Sequence, residues 1–177
     1  MSIPRRSAAL VFVLVFTLLA AAPLARALGP KCDVFLGYSR LLSNAFYSNV
    51  GGLNGWEGSL HCKAKPFLGW EGNVSQYGVG ENDTVPRTTA VLGGGRVTVG
   101  TLGVHVWGHA LGGIEHSSNS AGASISDSKF AYALGAGADV RFFPFLSWRL
   151  SGDYLNATST PSGGNHARLS TGLVFRF

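Results

Sequence analysis

From residue 33 onward, apolar residues return at every second position, the period of a β-strand with one face in an apolar medium. The clearest stretch is 129–141. Phe130, Tyr132, Leu134, Ala136, Ala138 and Val140 share one parity, and Ala131, Ala133, Gly135, Gly137, Asp139 and Arg141 share the other. In 53–63, Trp56, Gly58, Leu60 and Cys62 alternate with Glu57, Ser59, His61 and Lys63. In 68–76, Leu68, Trp70, Gly72 and Val74 alternate with Gly69, Glu71, Asn73 and Ser75. The stretch 146–155 sets Leu146, Trp148, Leu150 and Tyr154 against Ser147, Arg149, Ser151 and Asp153. At the C-terminus Leu169, Thr171, Leu173, Phe175 and Phe177 oppose Arg168, Ser170, Gly172 and Arg176. The pattern is weaker in 33–42, 87–98 and 103–114, where Gly93 to Gly95 and Trp107 blur it. Eight strands are predicted, most about 9–13 residues long, the length a tilted strand needs to cross a bilayer.

The connections carry an independent signal. Those at 64–67, 99–102 and 142–145 are short, and those at 43–52, 77–86, 115–128 and 156–165 are longer and polar. Short and long alternate strictly, as in a barrel with tight turns on one side of a membrane and larger loops on the other. Trp70 and Trp148 come early on upward strands and Tyr38 and Tyr154 late, while Phe130 and Tyr132 open a downward strand and Phe175 and Phe177 close one. Two interfacial aromatic belts follow. A soluble sandwich or lipocalin-like barrel also alternates. In this chain, however, the polar parity is crowded with Gly, Ser and Ala besides its charges, which suits a narrow lumen.

Composition agrees. Charged residues are 13% of the chain, about half the ~25% of soluble domains, and 25 Gly among 177 residues disfavour long helices. Arg5 and Arg6 precede the apolar run Ala8–Leu19, broken only by Thr17, and Ala25-Arg26-Ala27 fits a signal-peptidase site. Residues 1–27 are therefore read as a cleaved secretory signal peptide and 28–177 as the barrel domain. Without the leader, 11 Lys+Arg stand against 9 Asp+Glu, so a nucleic-acid partner has no electrostatic support.

The mature chain resembles the eight-stranded outer-membrane β-barrel family typified by the transmembrane domain of outer-membrane protein A. The resemblance rests on 33–39 (DVFLGYS), 55–58 (GWEG), 130–135 (FAYALG) and the terminal 170–177 (STGLVFRF). It implies an all-β, eight-stranded antiparallel up-and-down transmembrane barrel in the outer membrane of a Gram-negative-type cell. Its partners would be the lipid bilayer and the β-barrel assembly machinery, the latter through Phe177, and a monomer is expected. With the chain ending at Phe177, the periplasmic peptidoglycan-binding domain of larger members is expected to be absent.

Candidate chemistry is sparse. His61, His105 and His109 share the inward parity, but His105 and His109 are four residues apart on one strand, roughly 13 Å, too far for one metal. Gly93-Gly94-Gly95 lacks the Lys-Ser/Thr of a phosphate loop. The sequons at Asn73, Asn82 and Asn156 are what a chain rich in small polar residues contains by chance. No cofactor, metal or catalytic residue is assigned. The leading function is a structural or surface-binding, adhesive barrel acting through its external loops, its lumen closed by salt bridges. The alternatives are a small-solute pore and a lipid A deacylase. The latter rests on His116-Ser117-Ser118-Asn119, similar to the His-x-Ser-Asn motif of outer-membrane deacylases, with His116 as base and Ser118 as nucleophile.

Further expectations concern particular pairs. Cys32 and Cys62 lie on the lipid-facing parity at the rim of adjacent strands, where an oxidising compartment permits a disulfide. Inward charges comprise Glu57, Glu71, Asp139 and Asp153 with Lys63, Arg96, Arg141, Arg149, Arg168 and Arg176. A symmetric loop 156–165 makes Asp153 face Arg168, near the external mouth. A symmetric loop 77–86 brings Glu71 and Arg96 within one or two pair spacings. For assembly, deletion of Phe177 should impair membrane insertion far more than truncation of 156–165, read as outer-membrane yield and as the unboiled gel band.

Overall fold

The computed structural model describes residues 31–43, 52–78, 87–101, 103–118, 126–157 and 164–177. The leader and most of the four long connections lie outside the described residues. Eight strands form: β1 Cys32–Ser43, β2 Leu53–Lys63, β3 Leu68–Tyr77, β4 Arg87–Thr101, β5 Val104–Ser118, β6 Ser126–Phe143, β7 Leu146–Ala157 and β8 Gly164–Arg176. Each pairs antiparallel with its sequence neighbour, and β1 closes on β8 with Asp33 opposite Arg176. The result is a closed up-and-down barrel with no free sheet edge.

The wall is inside out relative to a soluble protein. Outward residues such as Leu36, Val74, Ile114, Leu134, Leu150 and Leu169 are exposed, whereas Arg96, Arg149, Arg168, Glu71 and Asp139 are almost completely buried. An apolar band outside and charges inside are what a bilayer requires of a closed barrel. Aromatic rings gather at both ends of that band. Phe67, Trp70, Phe142, Phe143, Phe145 and Trp148 are exposed at the short-turn end, and Tyr38, Trp56, Phe130, Tyr132 and Tyr154 towards the other. Their polar tips find partners along the wall. Trp148 Nε1 donates to Thr171 Oγ1 at 2.9 Å, and Trp56 Nε1 to Gln76 Oε1 at 3.2 Å. Such rings suit a level where one end is wet and the other apolar.

All strands but β2 run beyond the sequence-based bounds, β4, β5 and β6 by the most. β4 continues to Thr101 and β5 starts at Val104, so the turn is tighter than 99–102; Gly103 adopts φ +90, which other residues rarely take. At the opposite end the β5–β6 ribbon extends to Ser118 opposite Ser126, leaving 119–125 rather than 115–128 as the connection. These added pairs are rich in Ser, and an apolar period cannot mark strand above the hydrocarbon.

Cys32 and Cys62 are direct register partners with Cα atoms 4.1 Å apart, and they form a disulfide at the rim. The bridge pins the first β-hairpin at the end where Lys63 N also donates to Lys31 O. It clamps strand ends that the bilayer does not grip.

Candidate functional site

The lumen is the chemical centre of the molecule, and from Asp139 upward interlocking side chains close it. Its lower tier, towards the short turns, is built on Asp139. Arg149 donates to Asp139 through Nε at 2.7 Å and Nη2 at 3.0 Å, the Trp107 indole donates at 3.1 Å, and Arg96 and Arg176 each approach at 3.4 Å. Asp33 adds a second carboxylate, 2.9 Å from His61 Nδ1 and 3.5 Å from Arg149 Nη2. The Arg96 guanidinium lies 4.1 Å over the Trp107 ring, a cation–π contact.

A middle tier turns on His109. Its Nδ1 is 3.1 Å from Glu71 Oε2, and its Nε2 is 2.9 Å from Asp153 Oδ1. Carboxylates accept hydrogen bonds, so a ring flanked on both nitrogens is satisfied as an imidazolium, or one carboxyl must hold the proton. Register explains how the pair meets. His109 and Asp153 both oppose Gly135, one from each neighbouring strand. A Cβ at Gly135 would fall 1.7 Å from Asp153 Oδ1 and 2.9 Å from His109 Nε2, so only glycine leaves room for the contact.

The upper polar tier joins Arg168 to Asp153 at 2.6 Å and to Asn73 Oδ1 at 3.2 Å, with Glu57 at 3.8 Å. Glu57 also accepts from Asn73 Nδ2 at 2.6 Å and from the Ser170 hydroxyl. Ser170 in turn meets Ser39, which meets the Tyr77 hydroxyl. Above this polar chain the lumen becomes apolar: Leu41, Tyr77, Leu92, Leu111, Ala131, Ala133 and Leu155 pack as one buried cluster. The barrel is thus stoppered twice, by charge and then by hydrocarbon.

Asp153 faces Arg168 in register, as a symmetric β7–β8 connection predicts, but the pair is deep in the barrel rather than near the mouth. Glu71 opposes Gly94, and Arg96 opposes Gly69, two residues away, so the long side chains still come within 3.6 Å. The register differs by two from the symmetric expectation because β3 runs on to Tyr77, whose buried ring anchors it. Asp33 and Glu115 join the inward acids, so among the described residues there are six where four are expected, and Arg141 lines the open end of the lumen, exposed at the rim. The three inward histidines separate: His61 goes to Asp33, His105 to Arg176 and His109 to Glu71 with Asp153. No metal-binding group of three or more such ligands occurs among the described residues. His116 is exposed on the outer face with Nδ1 2.9 Å from Ser128 Oγ, and Glu115 is buried on the opposite face. The side chain of Ser118 lies outside the described residues. Asn73 is buried in the lumen, which removes its sequon from any glycosylating enzyme.

No protein-family model and no curated protein matches the chain. Solved structures do. The attachment invasion locus protein Ail of Yersinia pestis is 21% identical with a TM-score of 0.56, covering 85% of this chain and 100% of its own. Neisserial surface protein A gives 13% identity and a TM-score of 0.61, over 83% of this chain and 96% of its own. The N-terminal β-barrel domain of Pseudomonas aeruginosa OprF gives 14% and 0.56, over 84% of this chain and 98% of its own. At these identities the likeness is one of fold: the chain has the architecture of an eight-stranded outer-membrane barrel.

The tiers share members, so removing one should be felt throughout. Asp153→Ala takes from Arg168 its shortest partner and from His109 one of its two carboxylates, and should lower unfolding free energy by about 3 kcal/mol, whereas Arg141→Ala at the rim should change it by less than ~0.5 kcal/mol. Urea titration in detergent micelles, followed by tryptophan fluorescence, measures both.

Proposed function

We propose that this chain is an integral outer-membrane protein that works through the connections it presents at the cell surface rather than through its lumen. The observation that carries the proposal is the double closure of the lumen. An unbroken chain of ion pairs and hydrogen bonds runs from Arg176 to Tyr77, and the apolar cluster around Leu92 and Leu111 lies beyond it. A conducting path would have to part both. Eight strands leave an interior that side chains just fill.

In this reading the leader 1–27 exports the chain, Phe177 engages the β-barrel assembly machinery, and the monomer inserts with its termini in the periplasm. The four long connections then face outward. That the similar Ail bears the name attachment invasion locus protein supports a surface-binding, adhesive role. The reading is non-enzymatic. The deacylase alternative needs a carboxylate to orient His116, and its sequence neighbour Glu115 lies on the other side of the wall.

Two measurements test the proposal. Purified wild-type barrel in planar bilayers should show negligible single-channel conductance, and steady, reproducible steps would replace the plug with a pore. A non-adherent laboratory bacterium expressing the chain should adhere to cultured epithelial cells. Exchanging 44–51 and 119–125 for Gly-Ser linkers should abolish that gain at unchanged outer-membrane yield. Adhesion that survives the exchange would remove the loops from the function.

A further inference from the structure

The lumen is stoppered asymmetrically, and its unstoppered end has a chemistry of its own. At the short-turn end it widens into a cavity of about 630 Å³. Lys31, Lys63, Arg141 and Arg176 line it near the rim and Arg96 lines its floor, against two acidic side chains, Asp33 and Asp139, and the terminal residue Phe177. Both acids are already engaged, Asp139 by Arg149 and Trp107, Asp33 by His61. Surplus positive charge therefore faces the cavity, inside low-dielectric walls that focus its field.

The floor carries the second observation. Arg96 is 1% exposed, yet its Nε and Nη1 have no hydrogen-bond acceptor among the described residues. The carboxylates nearest Nη1 stand off at 3.6 Å (Glu71) and 3.9 Å (Asp33). Thr98, two residues along β4 and also lining the cavity, has an unpartnered buried hydroxyl. Buried donors left unmade are costly, and a guanidinium seated over Trp107 keeps two donors, Nε and Nη1, for an acceptor presenting two oxygens. A tetrahedral oxyanion supplies two oxygens to the floor and keeps others for the rim cations. A monocarboxylate has no oxygen left over.

We propose that this blind vestibule binds a phosphate-class oxyanion, with Arg96 and Thr98 at its floor and Lys63 and Arg176 closing over it from the rim. The apolar cluster at the far end makes it a site rather than a passage, since the anion enters and leaves by one mouth. Two sources share this chemistry: a free phosphate compound, and a phospholipid headgroup reaching around the barrel rim.

The test uses the full mature chain in a phosphate-free maltoside detergent, with inorganic phosphate as probe. The readouts are the 15N–1H resonances of Arg96 Nε and the Thr98 amide. Phosphate should shift both saturably, and chloride at equal ionic strength should not. The double substitution Lys63→Gln with Arg176→Gln, at partly exposed positions, should weaken binding about tenfold or more while the unboiled gel band stays unchanged. If free phosphate has no effect but transfer into phosphatidylglycerol nanodiscs shifts the same resonances, and the double variant loses that shift, the headgroup is the ligand. The site is overturned if neither source shifts them, if chloride matches phosphate, or if the double variant responds as the wild type does.

Discussion

The two hydrogen bonds from Arg149 to Asp139, at 2.7 and 3.0 Å, are the contact on which the rest of this barrel depends. Ion pairs removed from water recover their desolvation cost only when geometry is good and the remaining donors are also satisfied. Asp139 meets that condition by also accepting from Trp107 and pairing with Arg96 and Arg176, so strands β4, β5, β6, β7 and β8 converge on one carboxylate. From there Glu71, His109, Asp153, Arg168 and Glu57 continue the chain upward. Such a network is better understood as specifying register than as adding stability. A one-residue slip of a strand would turn its inward set to the lipid, where an Arg at the midplane costs ~2–4 kcal/mol. With Arg96, Arg149 and Arg168 on three different strands, a slip of any of those strands carries that penalty.

Charge alone would leave the interior hydrated and loose, and two devices tighten it. Gly135 removes a side chain where His109 and Asp153 must meet, and Trp107 spreads under the guanidiniums of Arg96 and Arg149 at 4.1 and 4.9 Å. The disulfide acts elsewhere, holding the chain entry of β1 to the exit of β2 at the rim. Lumen and rim are thus secured by different chemistry, each matched to its solvent.

Much of this was legible in the sequence, for reasons that particular residues make plain. The 129–141 alternation is strict, and its Asp139 and its glycines fall on the buried side as the period demands. Asp153 opposite Arg168 follows from a connection that is symmetric about its centre. Asp33 carries a weaker signal, because its strand also buries Phe35 and Leu41, and an apolar residue of the lumen looks in sequence like one facing lipid. The same ambiguity hid the upper stopper: Leu92, Leu111 and Leu155 are inward leucines among outward ones, distinguishable only by parity counted from a secure neighbour. Contacts across the lumen, such as His109 with Glu71, depend on barrel closure and have no local signature.

The vertical order of the lumen has a consequence for where function can reside. From the short-turn end, the molecule presents a basic mouth, then paired charge, then a hydroxyl ladder from Ser170 through Ser39 to Tyr77, and then the leucine cluster, with Thr88 and Glu115 buried beyond it. Each layer is hostile to what the adjacent one accommodates. An anion drawn to the mouth meets Glu71 and Asp153 beyond Arg96, and a water at the hydroxyl ladder meets an apolar wall. Through-flow of any single species is therefore opposed somewhere along the axis. The middle of the barrel is committed to holding the fold.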